Sequence, residues 1–109
     1  MTTLWAVLIG VRQLRGGRRF SRADDRLLQA ITAEYFPTGY TILETKGGWF
    51  DPTTRRFVRE DSRQIQITSS SKRQVWAWAR ALGAALNQKE LVLAQVGVAR
   101  KIRIRALRR

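Results

Sequence analysis

The chain has 109 residues, 21 Lys or Arg against 8 Asp or Glu, and a formal charge of +13. It has no His and no Cys, which excludes a disulfide framework, a zinc site of the usual Cys/His kind, and any Ser-His-Asp, Cys-His or histidine-shuttle mechanism. Its length predicts one domain, and 44% apolar residues with four Trp and four Phe predict a folded core rather than disorder.

Residues 4 to 11, Leu-Trp-Ala-Val-Leu-Ile-Gly-Val, read as a short buried strand. The run is far below the roughly 20 residues that cross a bilayer, and no basic segment precedes it, so the expectation is a soluble, cytoplasmic protein without a membrane partner. Residues 12 to 20 read as a basic loop around Gly16-Gly17. Ser21 and Asp24 mark a helix start, and Leu27, Leu28, Ile31, Tyr35 and Phe36 follow at helical spacing until Pro37 and Gly39 stop it.

Tyr40 to Phe50 favour a strand, in which Gly47-Gly48 permits a bulge or close backbone approach. Asp51-Pro52-Thr53-Thr54 is a turn, and the chain returns through Phe57 and Val58 to Ile65 and Ile67, alternating with Gln64, Gln66 and Thr68. The result is a long β-hairpin, with Trp49 and Phe57 expected to face one another as an aromatic pair. Ser69 to Ser71 supply a cap, and Val75, Trp78, Ala79, Leu82 and Leu86 form one apolar helical face. Two residues apart on a helix means faces differing by about 200°, so one of Trp76 and Trp78 must lie outside the core. Leu91 to Val98 form a last core strand.

The order β-α-β-β-α-β predicts a ferredoxin-like α+β domain, an antiparallel sheet with two helices on one face. The domain spans residues 1–99, and residues 100–109 form a basic extension. Ile102 and Ile104 alternate with cations there, which suggests a further edge strand able to pair with another subunit. A homo-oligomer, dimer or trimer, is expected.

The charge is concentrated. Arg12, Arg15, Arg18, Arg19 and Arg22 surround the glycines, and Arg100, Lys101, Arg103, Arg105, Arg108 and Arg109 fill the tail, so the remainder of the chain is nearly neutral. Of these, Arg15, Arg18, Arg19, Arg100, Lys101, Arg103, Arg105, Arg108 and Arg109 are the candidate contacts to an anionic partner, a nucleotide or nucleic acid. With no His or Cys, any chemistry falls to carboxylates. Glu60 is the leading candidate and Glu44 on the partner strand is expected to face it, with Trp49, Arg56 and Arg59 as ligand contacts. An ion pair of Glu60 with Arg56, Arg59 or Arg63 is the structural alternative. No metal or cofactor is implied, and whether the chain is an enzyme stays open.

Gly47-Gly48-Trp49-Phe50 followed by Val58-Arg59-Glu60-Asp61-Ser62 resembles the hairpin of a family of small uncharacterised bacterial proteins, with Gly-x-Trp, a turn, then Val-x-Glu-x-Ser. The match runs from about Phe36 to Val96 and implies fold and hairpin register only. The element order is also similar to that of phage enzymes that degrade S-adenosylmethionine, which share a trimeric fold with the nitrogen-regulatory P-II proteins. That resemblance implies a subunit-interface cleft, a Glu on the third strand that Glu60 matches, and a Tyr on the second strand. Here the Tyr position falls on Trp49 or Phe50, which carry no phenol.

Overall fold

In a computed structural model of the chain, residues 2–10 and 19–104 are described. Their elements run β1 (Thr2–Gly10), α1 (Arg22–Tyr35), β2 (Thr41–Asp51), β3 (Arg56–Ser69), α2 (Lys72–Ala85) and β4 (Val92–Ala99). The sheet has the order β2-β3-β1-β4 with every neighbouring pair antiparallel. This is the ferredoxin-like α+β arrangement expected from the element order.

Both helices begin where side chains satisfy backbone N–H groups that have no partner inside the helix. At α1, Ser21 Oγ accepts from the Asp24 N–H at 3.0 Å while Asp24 Oδ2 accepts from the Ser21 N–H at 2.9 Å, a reciprocal capping box. At α2, Ser71 Oγ accepts from the Gln74 N–H at 3.2 Å. Asn87, just beyond α2, has φ 55°, the left-handed region that Asn tolerates better than most residues.

The core lies between the helices and one sheet face. Trp5, Val7 and Ile9 of β1 stand opposite Ile67, Ile65 and Arg63 of β3, and their apolar members pack with Leu28, Phe36, Val75, Trp78, Leu82 and Leu86. Trp78 is wholly buried, its indole N–H donating to Thr32 Oγ1 at 3.1 Å and its ring meeting Phe36 edge-on. Trp76, at the opposite angle on α2, is 47% exposed, as the helical geometry requires.

Three expectations change. Trp49 stands opposite Val58, and the cross-strand aromatic pair is Phe50 with Phe57, a one-residue difference that leaves Trp49 and Phe57 on opposite faces of the hairpin. The last strand is an edge rather than a core strand: β4 pairs only with β1, and Val92, Val96 and Val98 are exposed. Its register shifts between Leu4 and Trp5, so simple alternation does not carry through it. Residues 100–104 follow without strand structure, leaving Ile102 and Ile104 in solvent.

The second sheet face is left open. Leu4, Ala6 and Leu8 of β1 share it with Leu43 of β2 and with Val92 and Ala94 of β4. An antiparallel sheet that faces water ordinarily alternates polar side chains onto that face. Here Leu8, Leu43 and Val92 are exposed.

Candidate functional site

β2 and β3 continue past the body as a hairpin, in a molecule with principal extents of 59 × 27 × 26 Å. At its tip, Asp51 Oδ1 accepts from the Thr53 N–H at 2.9 Å and the Asp51 carbonyl accepts from the Arg55 N–H at 2.7 Å. Arg55 there has φ 58°.

The register assigns the two hairpin faces. On the open-sheet side lie Thr45 opposite Ser62, Gly47 opposite Glu60 and Trp49 opposite Val58. The Thr45 and Ser62 hydroxyls are 2.7 Å apart. The Trp49 indole N–H donates to Glu60 Oε1 at 3.0 Å, fixing the half-buried carboxylate. The other oxygen, Oε2, stands beside Gly10, where a Cβ would come within 3.3 Å of it. Glu60 and Gly10 line an open recess of about 390 Å³ with Leu8, Leu91, Val92, Gln88 and a second carboxylate, Glu90. The recess is thus an extension of the open sheet face, closed on one side by the turn from α2 to β4.

On the helix side lie Ile42 opposite Ile65, Glu44 opposite Arg63, Lys46 opposite Asp61, Gly48 opposite Arg59 and Phe50 opposite Phe57. Arg63 is buried, 5% exposed, and gathers carboxylates. Its Nε and Nη2 donate to Asp25 at 2.9 and 3.3 Å, Nη1 donates to Asp61 Oδ1 at 3.1 Å and to the Ser62 carbonyl at 2.9 Å, and Glu44 lies 3.9 Å away. The Phe20 ring lies 4.5 Å from the guanidinium carbon. Burial opposes the charge on Arg63, but hydrogen bonding and attraction to Asp25 and Asp61 outweigh it and raise its pKa. Burial likewise disfavours ionised Asp61, and the Arg63 hydrogen bond, the Phe20 N–H and the charges of Arg63 and Lys46 reverse this, so its carboxyl sits below its ordinary value.

Glu44 therefore does not face Glu60. The two project from opposite faces of the hairpin, because one aligns with Arg63 and the other with Gly47. Nor does Glu60 pair with Arg63, which is taken up by Asp25 and Asp61; its hydrogen bond comes from Trp49. Arg56 and Arg59 are exposed on the hairpin, opposite Asp51 and Gly48. Arg19, Arg100, Lys101 and Arg103 are exposed, while Arg15, Arg18, Arg105, Arg108 and Arg109 lie outside the described residues. Gly10, Leu91 and Gln88 were not legible as site residues, since only the sheet order brings them beside Glu60. Among the described residues no group of three or more Asp or Glu is arranged to hold a metal ion, and no helix is long and apolar enough to cross a membrane.

No protein-family model and no curated protein matches the chain. Solved structures do. A phage SAM lyase in complex with S-methyl-5'-thioadenosine superposes with TM-score 0.59 at 14% identity, covering 89% of this chain and 83% of that one. The periplasmic divalent cation tolerance protein CutA from Archaeoglobus fulgidus gives TM-score 0.62 at 7% identity, covering 94% and 88%. GlnK of B. subtilis, in its ATP complex, gives 0.53 at 15% identity, covering 87% and 84%. The chain has a P-II-like fold. At these identities the likeness carries the P-II-like architecture alone, and function must come from the site.

Proposed function

We propose that the chain is a homo-oligomeric ligand-binding module in which copies meet through the open sheet face and a small nucleoside-type ligand is held beside Glu60. The carrying observation is the Glu60 carboxylate, fixed at Oε1 by the Trp49 indole and set with Oε2 at Gly10 in a recess. A carboxylate so oriented accepts hydrogen bonds from hydroxyl or ammonium groups, and Leu8, Leu91 and Val92 supply apolar wall. S-Adenosylmethionine carries ribose hydroxyls, an ammonium and a sulfonium, which matches that chemistry. The methylthioadenosine complex of the phage lyase supports a ligand of this class. Because the recess opens on the same face as exposed Leu8, Leu43 and Val92, a neighbouring copy would form its remaining wall. If the bound molecule is cleaved, Glu60 is the group that acts on it. Isothermal titration with S-adenosylmethionine and with methylthioadenosine tests the reading: wild type binds, Glu60→Gln binds at least tenfold more weakly, and heat-silent wild type refutes it.

A second reading is favoured by the exposed cations Arg19, Arg100, Lys101 and Arg103, which form no ion pair among the described residues. They suit phosphate groups of a nucleotide or nucleic acid, with Arg15, Arg18, Arg105, Arg108 and Arg109 as further contacts. Affinity would then fall steeply with salt, and its loss in Arg100→Gln/Lys101→Gln/Arg103→Gln would place it on the tail.

A further inference from the structure

The distal hairpin carries a surface that neither reading uses. Phe57 is 83% exposed and Phe50 48% exposed, their ring centroids 5.2 Å apart and their planes inclined at 67°. They belong to the hairpin face opposite to Glu60. Same-face positions recur about every 7 Å along a strand, so the next steps inward from this pair are Gly48 with Arg59 and then Lys46 with Asp61. Gly48 presents no side chain, and an open groove of about 530 Å³ runs along this part of the hairpin, lined by the rings, Lys46 and Arg59 together with Gly47, Trp49 and Val58. Arg55 and Arg56 flank the rings at the tip; Arg55, Arg56 and Arg59 form no ion pair among the described residues, while Lys46 stands opposite Asp61 and acts on its charge.

We propose that this face, built from Phe50, Phe57, Lys46 and Arg59, is a binding platform for single-stranded nucleic acid. Unpaired bases stack on exposed aromatic rings whatever their sequence, while neighbouring cations hold the phosphates. A duplex keeps its bases stacked on one another and has no ring face to give. Charge argues against a second copy as the occupant. On and beside the ring-bearing face, Lys46, Arg55, Arg56 and Arg59 stand against Asp51 and Asp61, and the whole chain has only 8 acidic residues against 21 Lys or Arg. At least six of the eight are engaged within the chain: Asp25, Asp61 and Glu44 surround Arg63, Asp24 caps α1, Asp51 accepts from the Thr53 N–H, and Glu60 accepts from Trp49. A polyanion supplies what this chain lacks. The platform is remote from the end of β4, because Ala99 pairs with Thr2 at the end of the sheet away from the tip.

The test is fluorescence anisotropy with a labelled oligothymidylate of about 15 nucleotides and a duplex of equal length, using the full chain. Phe57→Ala should weaken single-strand binding about 5- to 150-fold and leave duplex binding unchanged, while Phe57→Trp retains it. Arg59→Gln should reduce the slope of log affinity against log salt by about 0.7. Phe57 is too exposed for its loss to unfold the domain, and far-ultraviolet circular dichroism verifies this. Three results would overturn the proposal: Phe57→Ala binding the oligonucleotide within twofold of wild type, polyglutamate competing as well as unlabelled oligonucleotide, or Phe57→Ala lowering the sedimenting mass. The first leaves tail phosphate contacts, the second an acidic polypeptide, the third an interface between copies. The first two do not bear on S-adenosylmethionine binding at Glu60, which is measured separately; the third would also move the contact between copies away from the open sheet face.

Discussion

Arg63 on β3 and Asp25 on α1 are joined by a forked pair of hydrogen bonds, Nε to Oδ1 at 2.9 Å and Nη2 to Oδ2 at 3.3 Å. The fork ties the first turn of α1 to the centre of the sheet. It is one half of a network in which a single buried guanidinium balances Asp25, Asp61 and, more distantly, Glu44. Removing the cation leaves partly desolvated carboxylates facing one another. Arg63→Ala should therefore cost about 3 kcal/mol, the low end for a broken buried pair because Asp25 is partly exposed, read as a shift in urea midpoint. Arg63→Lys should recover little, since an ammonium cannot make the fork.

The same network sets an acid limit. Asp61 ionises more readily in the folded chain than its ordinary value of 3.8, so its contribution to stability is fully present above that value and is lost as pH falls through the lower folded value. Arg63 shifts upward from its already high ordinary value, and its contribution is lost only in strong alkali. Asp61→Asn should consequently be less stable than wild type near neutrality but show a shallower decline below about pH 4. Urea midpoints taken from pH 6 down to about pH 3 check this, and parallel curves for the two proteins would contradict it.

Thr32 and Trp78 form a polar contact deep between α1 and α2, at 3.1 Å with both side chains fully buried. Thr32→Val keeps the shape and strands the indole N–H, at a cost of about 1–3 kcal/mol. Thr32→Ser should lose less than Thr32→Val if the hydrogen bond governs, and more if methyl packing does. Thermal denaturation of the pair separates the two.

Gly48 is needed for close approach rather than for a special dihedral angle. A Cβ there would meet the Val58 carbonyl oxygen at 3.1 Å, and backbone cannot swing aside as a side chain can. Gly48→Ala should destabilise the distal hairpin by about 1 kcal/mol, visible as faster amide exchange at residues 49–58. By contrast Arg55, at φ 58°, pays for a left-handed conformation, and Arg55→Gly should raise stability by about 0.5–1 kcal/mol.

Much of the fold was legible because local signals agreed. Ser21 with Asp24, Ser71, Pro37 and the Asp51 turn each mark a boundary through nearby hydrogen bonds or a fixed φ, and the six elements follow in order. What depended on register was not. Whether Trp49 meets Phe57 or Val58 turns on one residue of offset across the four-residue turn at 52–55, and that offset decides which side chains share a face. Glu60 emerged from the sequence as the carboxylate most worth following. Its partner did not, because Glu44 and Trp49 both lie on the facing strand and the register decides which of them shares the face of Glu60. The recess wall from Gly10, Gln88 and Leu91 required the sheet order, in which β1 lies between β3 and β4.

Hydrogen exchange of the full chain with and without S-adenosylmethionine tests the central claim most directly, because it locates the ligand as well as detecting it. Binding beside Glu60 predicts slowed exchange at residues 8–10, 59–61 and 88–92, lost in Glu60→Gln. Protection confined to residues 100–104, or none at saturating ligand, would contradict the account.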